Sequence, residues 1–429
     1  MVLSRRSLLA ASLALAARPA RAGPAFDVDV LVVGAGVAGL AAGQALKRRN
    51  KTCLVLEARG RIGGRVLTET ALGAPYEAGA FYIHWAERNP IAKLAEAEGI
   101  ATTPDRGGAI RSFDEGAETT QSARARRGAD FGRLSAMLDG EDAPDVSILD
   151  VARRAAPPLD DAARGLARLA LGEEPARVSA LDYARLWSGD DLLVPGGYSN
   201  LVGALAPGLD LRLSTPVTAI DWSGPGVAVE TQTGTIRARA AIVTVPVGVL
   251  KAGGLRFHPD LPPQTQDALH GLGMGALSKI GLSFDLTRFD PPRGDIFSRS
   301  GDSLFDFDCR PLGRDIVVAI FGGDFARSIT RSEPEAVQTA LDAFAAVAGF
   351  DVRRAFRAGK LHAWHDEPYS FGAYSHGEPG HAQAREALAR PVGDRLVFAG
   401  EATAPTGAAM TTGGAFLAGR AAGDWAAGL

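Results

Sequence analysis

Gly34, Gly36 and Gly39 directly follow an apolar run at 30–33, and Glu57 closes a second apolar run eighteen positions beyond the last of them. Strand, glycine turn, helix, strand and acid in that order form the dinucleotide-binding fingerprint. Each glycine has a mechanical job: the tight turn, bare backbone against a pyrophosphate, and close packing of helix on strand. Ala38 stands in the same turn. The helix that starts there directs its positive end at the phosphates. Glu57 is placed to accept hydrogen bonds from a ribose.

The elements that must position this turn are readable around it. Residues 27–57 read β-α-β, and 150–183 are rich in Ala, Leu and Arg, with Leu166, Leu169 and Ala170 at helical spacing. Strands are expected at 227–230, 235–238 and 241–245, with a glycine turn between the first two. The Ile316-Val317-Val318-Ala319-Ile320 run favours a buried strand, 395–399 another, and 413–427 a closing helix. Residues 104–150 carry no clear signal. A chain of 429 residues, 46% of them hydrophobic, exceeds what one compact core usually holds, so two domains are expected.

Ser4-Arg5-Arg6-Ser7-Leu8-Leu9 is a twin-arginine pattern, followed by an apolar run at 8–17 and then Ala20-Arg21-Ala22. That run is too short for a bilayer, which takes about 20 residues. A charged start, a short apolar middle and an A-x-A end read as a removable signal peptide over 1–22. The implied partner is the twin-arginine export machinery of bacteria, and the implied location is the periplasm or the exterior. No later segment is expected to insert stably in a membrane. Removing 1–22 takes away four of the 46 basic residues and none of the 49 acidic ones, leaving a charge of −7. Mild acidity argues against nucleic acid as a partner and is compatible with cationic substrates. Cys53 and Cys309 lie far apart, and a thiol in the 53–56 strand points to burial rather than a disulfide. No cysteine or histidine cluster suggests a metal.

After Glu57 comes Ala58-Arg59-Gly60-Arg61-Ile62-Gly63-Gly64-Arg65. Paired glycines let a loop lie flat on a cofactor, and arginine forks onto phosphate oxygens. With Glu57 this resembles the E-A-x-x-R-x-G-G-R segment of the flavin-dependent amine oxidases, which include monoamine oxidases, polyamine oxidases and lysine-specific histone demethylases. Further segments match in order: Glu77 to His84 with Asn89-Pro90; Val194-Pro195-Gly196-Gly197-Tyr198; Val217; 245–251; Gly275 to Ile280; Trp364, Gly372 and Tyr374-Ser375. Gly400-Glu401-Ala402-Thr403 and Thr411-Thr412-Gly413-Gly414-Ala415 close the series. The resemblance spans most of the chain beyond the leader except about 100–190.

The resemblance implies a doubly wound α/β, Rossmann-like FAD-binding domain (27–80 with 191–255 and 391–429) and a mixed α+β substrate domain (81–190 with 256–390). It implies FAD held by Gly34, Gly36, Ala38, Gly39, Glu57, Arg59, Gly64, Arg65, Gly79, Ala80, Val217, Glu401 and Thr412. Ala373 falls where covalent members carry the flavin-linking cysteine, so FAD is expected to be noncovalent. Lys279 matches the lysine that holds a water near flavin N5, and its apolar neighbours suggest a buried strand. Tyr374 matches one wall of the aromatic cage that orients the amine. The second wall, tyrosine in monoamine oxidases, falls on Thr411, an opening that resembles the histone demethylases. His84 resembles a polyamine-oxidase histidine placed over the substrate, and its neighbour Trp85 resembles nicotine oxidases. Phe81, Trp85, Trp364 and Thr411 are expected to line the pocket.

The chemistry implied is oxidation of a small-molecule amine, with hydride lost from the carbon beside nitrogen to the flavin. The imine is then hydrolysed, and O2 accepts the electrons to give hydrogen peroxide. An L-amino-acid oxidase, an amine dehydrogenase, a desaturase and a non-catalytic flavoprotein remain alternatives. An amino-acid oxidase needs an arginine for the substrate carboxylate, and none is assignable. The identity of the amine depends on side chains from 100–190 and 302–325.

Overall fold

The computed structural model of the chain describes residues 26–140, 143–348 and 352–429. The leader read at 1–22 lies outside the described residues. Val28–Val33, Val37–Arg48 and Cys53–Leu56 form the expected β-α-β unit, its two strands paired in parallel. This pair sits inside an eight-stranded sheet. The strand order is Arg256–His258, Val217–Asp221, Val227–Thr231, Gly234–Val243, Val28–Val33, Cys53–Leu56 and Asp210–Arg212, with Leu396–Phe398 also pairing Gly234–Val243.

Strand periodicity divides this sheet's apolar residues between two faces. Val30, Val32, Val55 and Ile242 enter one core, against helices Val37–Arg48 and Thr412–Ala427. Leu31, Val33, Leu54, Leu56 and Val243 enter the other, against Pro263–His270 and Ala384–Leu388. A parallel sheet needs both faces covered, which is why these strands read as unbroken apolar runs. The two strands expected at 235–238 and 241–245 are one continuous strand, Gly234–Val243. Its first half forms a hairpin with Val227–Thr231, and its second half lies between Val28–Val33 and Leu396–Phe398. No glycine or proline interrupts 235–243, so nothing breaks it.

A seven-stranded sheet forms the second body. Its order is Phe356–Ala363, Ser278–Phe284, Val317–Phe321, Ser303–Cys309, Gly294–Ser300, Ile110–Asp114 and Ala117–Glu118. One face carries Ile280, Leu282, Ala319, Phe305 and Phe307 against helix Glu333–Val347, whose Ala336, Ala340 and Phe344 point inward. The other face carries Lys279, Ile320 and Asp306, aligned in a row by the cross-strand register. Helices Gln121–Leu138, Ile148–Arg153, Asp160–Ala170 and Ala180–Ala184 share a third core. Among the described residues no helix is long and apolar enough to cross a membrane, and Cys53 and Cys309 are free thiols.

Candidate active site

A cavity of about 830 Å³ runs from the glycine turn to the polar face of the seven-stranded sheet. Gly34, Gly36, Ala38, Glu57, Arg59, Gly64 and Arg65 line one end. A Cβ on Gly36 would meet only the Cα of Gly64, 3.9 Å away, so this turn is bare on its cavity side. Gly39 lies behind the turn: a Cβ there would stand 1.8 Å from the carbonyl oxygen of Gly34, so helix and strand close only on glycine. Glu57 is buried. Its Oε2 accepts the Ala35 N–H at 2.8 Å and its Oε1 accepts the Arg59 N–H at 2.8 Å, which pins two loops. Each carboxylate oxygen keeps a lone pair for a ligand hydroxyl.

Arg59 pairs with Glu367 and lies over the Tyr369 ring. Arg65 donates to the Ala373 carbonyl at 2.8 Å and to Glu401 at 3.0 Å. Gly79 also touches the cavity, and a Cβ there would sit 1.9 Å from the Arg65 carbonyl oxygen. Ala80, Val217, Glu401, Thr411 and Thr412 complete this wall. The Thr411 hydroxyl accepts the Gly414 N–H at 3.0 Å and donates to the Ala408 carbonyl at 2.8 Å, so it caps helix Thr412–Ala427 while its side chain faces the cavity. The Thr412 hydroxyl bonds to that of Tyr198. A long apolar cleft with a bare glycine turn, an acceptor carboxylate and a helix start along it fits an extended dinucleotide such as FAD.

At the other end, Lys279 is 7% exposed within a strand buried at every position. Its Nζ donates to the carbonyls of Glu77 at 3.0 Å and Gly79 at 2.9 Å, and lies 5.6 Å from the Phe81 ring centroid. Burial pushes its pKa down to about 8, although Glu77, Asp308 and Asp306 favour the charged form. An ammonium has three N–H donors, so one is left for the cavity. Two strand positions on, Gly281 leaves room for Tyr76: a Cβ would stand 2.6 Å from its ring.

Phe81, Tyr374 and Trp364 also line the cavity. The Tyr374 hydroxyl donates to the Ala170 carbonyl at 2.9 Å, and burial raises its pKa. The Trp364 indole N–H donates to the Ala78 carbonyl at 3.0 Å. These bonds fix both rings by their outer ends. His84 lines the cavity half-buried, with Nδ1 3.0 Å from Asp191 Oδ1. Trp85 is buried at a left-handed φ of 43°, edge-on to Trp187 with centroids 5.2 Å apart. The silent regions contribute Leu169, Ala170, Leu171, Tyr183, Leu186 and Trp187 from 100–190, and Asp306 and Ile320 from 302–325.

Two groups of functional consequence have no fingerprint in the sequence. Arg385 is buried and donates to both Asp182 oxygens at 2.7 and 2.9 Å, and to Ser375 Oγ at 2.6 Å. Ser375 Oγ in turn donates to Glu401 at 2.7 Å. Burial works against both carboxylates, yet their arginine partners hold Asp182 and Glu401 below the usual range. The network ties Ser375, the neighbour of Tyr374, to Glu401 on the cavity wall. The second group is the set of carboxylates on the sheet face beside Lys279. Only the alternation in Ser303–Cys309, with Asp306 and Asp308 between phenylalanines, hints at it.

This fold and cleft are those of a flavoenzyme. The family model for flavin containing amine oxidoreductase matches residues 178–424, and one for an NAD(P)-binding Rossmann-like domain matches 32–96. Polyamine oxidase 4 of Oryza sativa subsp. japonica is 30% identical over 437 residues, covering 92% of this chain and 88% of that protein. Polyamine oxidase 2 of Arabidopsis thaliana is 30% identical over 420 residues, with 87% and 83% covered. Lysine-specific histone demethylase 1B of Mus musculus is 29% identical, across 87% of this chain and 50% of that protein. Among solved structures, a wild-type putrescine oxidase bound to putrescine superimposes with a TM-score of 0.75 at 22% identity, covering 92% of this chain and 98% of that one. The chain belongs to the flavin containing amine oxidoreductase family, and its activity is FAD-dependent oxidation of an amine.

Proposed function

We propose that the protein is an exported bacterial oxidase that holds FAD noncovalently and passes the electrons of a small-molecule amine to dioxygen. The observation that carries the oxidase reading is Lys279: a cation buried in a strand, held by two carbonyls, at the wall of the cavity that begins at the glycine turn. The chemistry a bound FAD supplies is acceptance of a hydride from the carbon beside the amine nitrogen. The nitrogen must lose its proton first, because only the free lone pair drives that loss. Phe81, Tyr374 and Trp364 supply a dry apolar wall that disfavours an ammonium at the reacting end and aligns the neutral amine. The third N–H of Lys279 is free to hold a water in the cavity, where water must also enter to cleave the imine to a carbonyl compound and the released amine. Dioxygen taking up two electrons and two protons leaves as hydrogen peroxide.

Support for noncovalent binding is Ala373, which offers no nucleophile where its carbonyl meets Arg65. Support for export is the twin-arginine leader, and an export route for folded proteins suits a chain that must capture its cofactor first. Anaerobic protein mixed with polyamines, aromatic monoamines and cyclic amines tests the reading: at least one should bleach the flavin absorbance, and air should then yield peroxide. Flavin that no amine bleaches would refute amine oxidation; bleaching without peroxide would refute O2 as acceptor. Arg5→Lys with Arg6→Lys should trap the protein in the cytoplasm, and unchanged export would refute the twin-arginine route.

A further inference from the structure

Tyr374, an aromatic wall of the cavity, is held at both of its ends. Its backbone carbonyl accepts the Gly275 N–H at 2.9 Å, and the preceding Ala373 N–H donates to the Gly275 carbonyl at 2.8 Å. Its hydroxyl donates to the Ala170 carbonyl at 2.9 Å. Ala170 is the last residue of helix Asp160–Ala170, where a carbonyl receives no N–H from within the helix and is open to an outside donor. The turn that follows is wedged against the segment leading to Lys279. Gly172 has a left-handed φ of 64°, and its carbonyl accepts the Ala276 N–H at 2.6 Å. A Cβ on it would stand 2.8 Å from the Leu277 nitrogen. Glu173 closes this turn and is 3% exposed. Its carboxylate accepts two bonds from the Arg327 guanidinium, at 3.0 and 2.6 Å, and one from Arg177 Nε at 2.9 Å. Burial works against the charge, yet the Arg327 bonds hold the carboxyl below its ordinary range. Arg327 Nη2 also donates to the Met274 carbonyl at 3.3 Å, one residue before Gly275.

We propose that Glu173 and Arg327 are positioning residues for the reaction: their ion pair sets where the Ala170 carbonyl stands, and so how the Tyr374 ring meets the amine. The inference rests on the reading of Tyr374 as a wall that aligns the amine. One guanidinium joins the turn that takes the Tyr374 hydroxyl to the segment that takes its backbone. Neither Glu173 nor Arg327 lines the cavity, so their effect on a bound amine passes through the groups they hold. A buried ion pair often adds no net stability over apolar packing, whereas a bidentate fork fixes direction as well as distance. The pair is therefore better suited to setting an orientation than to holding the helix down. Orientation is what this chemistry needs, because a misplacement of about 1 Å costs on the order of 100-fold in rate even when the altered residue is remote.

Anaerobic flavin reduction on the holoenzyme, with spermidine, benzylamine and pyrrolidine as probes, separates the limiting rate of reduction from the apparent Kd. Glu173→Gln should lower the limiting rate with the fastest probe roughly 10- to 100-fold, while its flavin spectrum without amine matches wild type. Tyr374→Phe keeps the ring, loses the tie to Ala170 and should slow reduction to a similar extent. The two substitutions together should slow it no more than the larger single effect, since both break one tie. Arg327→Lys, which keeps the charge and loses the fork, should slow reduction less than Glu173→Gln does. Each variant's FAD content, read from its spectrum, reports whether it folds. If Glu173→Gln does not fold, Glu173→Asp, which keeps the charge on a shorter arm, takes its place beside Tyr374→Phe. Effects that multiply in the double variant, or a limiting rate unchanged by either single substitution, overturn the positioning role while amine oxidation stands. Wild-type flavin that none of the three amines reduces overturns the activity itself, and this role with it.

Discussion

Lys279→Met removes a buried charge while keeping a flexible apolar side chain, and its effect on stability can be worked from the structure. A pKa of about 8 against an ordinary 10.5 means the folded state holds this proton less tightly than the unfolded one. At 1.36 kcal/mol for each pH unit, carrying the ammonium inside costs about 3 kcal/mol at neutral pH. Against that, the Glu77 and Gly79 carbonyls lose their donor, at about 1–3 kcal/mol each. The terms largely offset each other, so the variant should match wild type within about 3 kcal/mol at pH 7. The sign of the pH dependence follows from the depressed pKa. Between pH 8 and 10.5 the unfolded state binds more protons, so wild type gains stability as pH rises and the variant does not. Urea unfolding of both holoproteins across pH 7 to 10.5 should show wild type gaining about 3 kcal/mol relative to the variant. A flat difference curve would refute the buried, depressed lysine. In the same preparations FAD should stay bound while turnover or reoxidation slows, and unchanged half-reactions would remove Lys279 from the chemistry.

Glu57→Ala withdraws the acceptor that faces the ribose and unpins the Ala35 and Arg59 loops; FAD affinity should fall by about 1.5–3 kcal/mol, measured by fluorescence titration of apoprotein, and equal affinity would contradict the fingerprint. Arg385→Met strands the buried Asp182 carboxylate and should cost about 3–5 kcal/mol, with Asp182→Asn added in the same chain recovering part of it; a single-variant unfolding midpoint near wild type would show the pair to be incidental. Denaturation followed by ultrafiltration should release all of the yellow colour, and colour retained on the polypeptide would disprove noncovalent FAD.

What could be read from the sequence was what short strings encode. The Gly34–Glu57 unit reads directly because turn, helix and acid lie within one supersecondary element whose glycines answer to local clearances. Lys279 reads because apolar residues surround it in the chain itself. Asp182 and Arg385 do not, since they meet across 203 positions and neither flanking segment announces the other. Asp306 is hidden for a different reason. Alternation in Ser303–Cys309 marks an amphipathic strand, but a polar face normally meets water, and only the tertiary arrangement reveals that this one meets a cavity. Gln121–Leu138 stayed unread because only Leu134 and Leu138 of its residues are buried, which leaves too weak an apolar stripe to see.

The helix Thr412–Ala427 lies on Val37–Arg48 so closely that a Cβ on Gly419 would stand 2.0 Å from the Ala38 carbonyl oxygen, and Gly423 meets Ala42 in the same way. The nucleotide-binding turn therefore waits for a helix far along the chain, Thr412–Ala427, to be synthesised before it has a back wall. An intermediate that has not yet docked that helix carries its apolar cleft open, so firm cofactor uptake follows the docking.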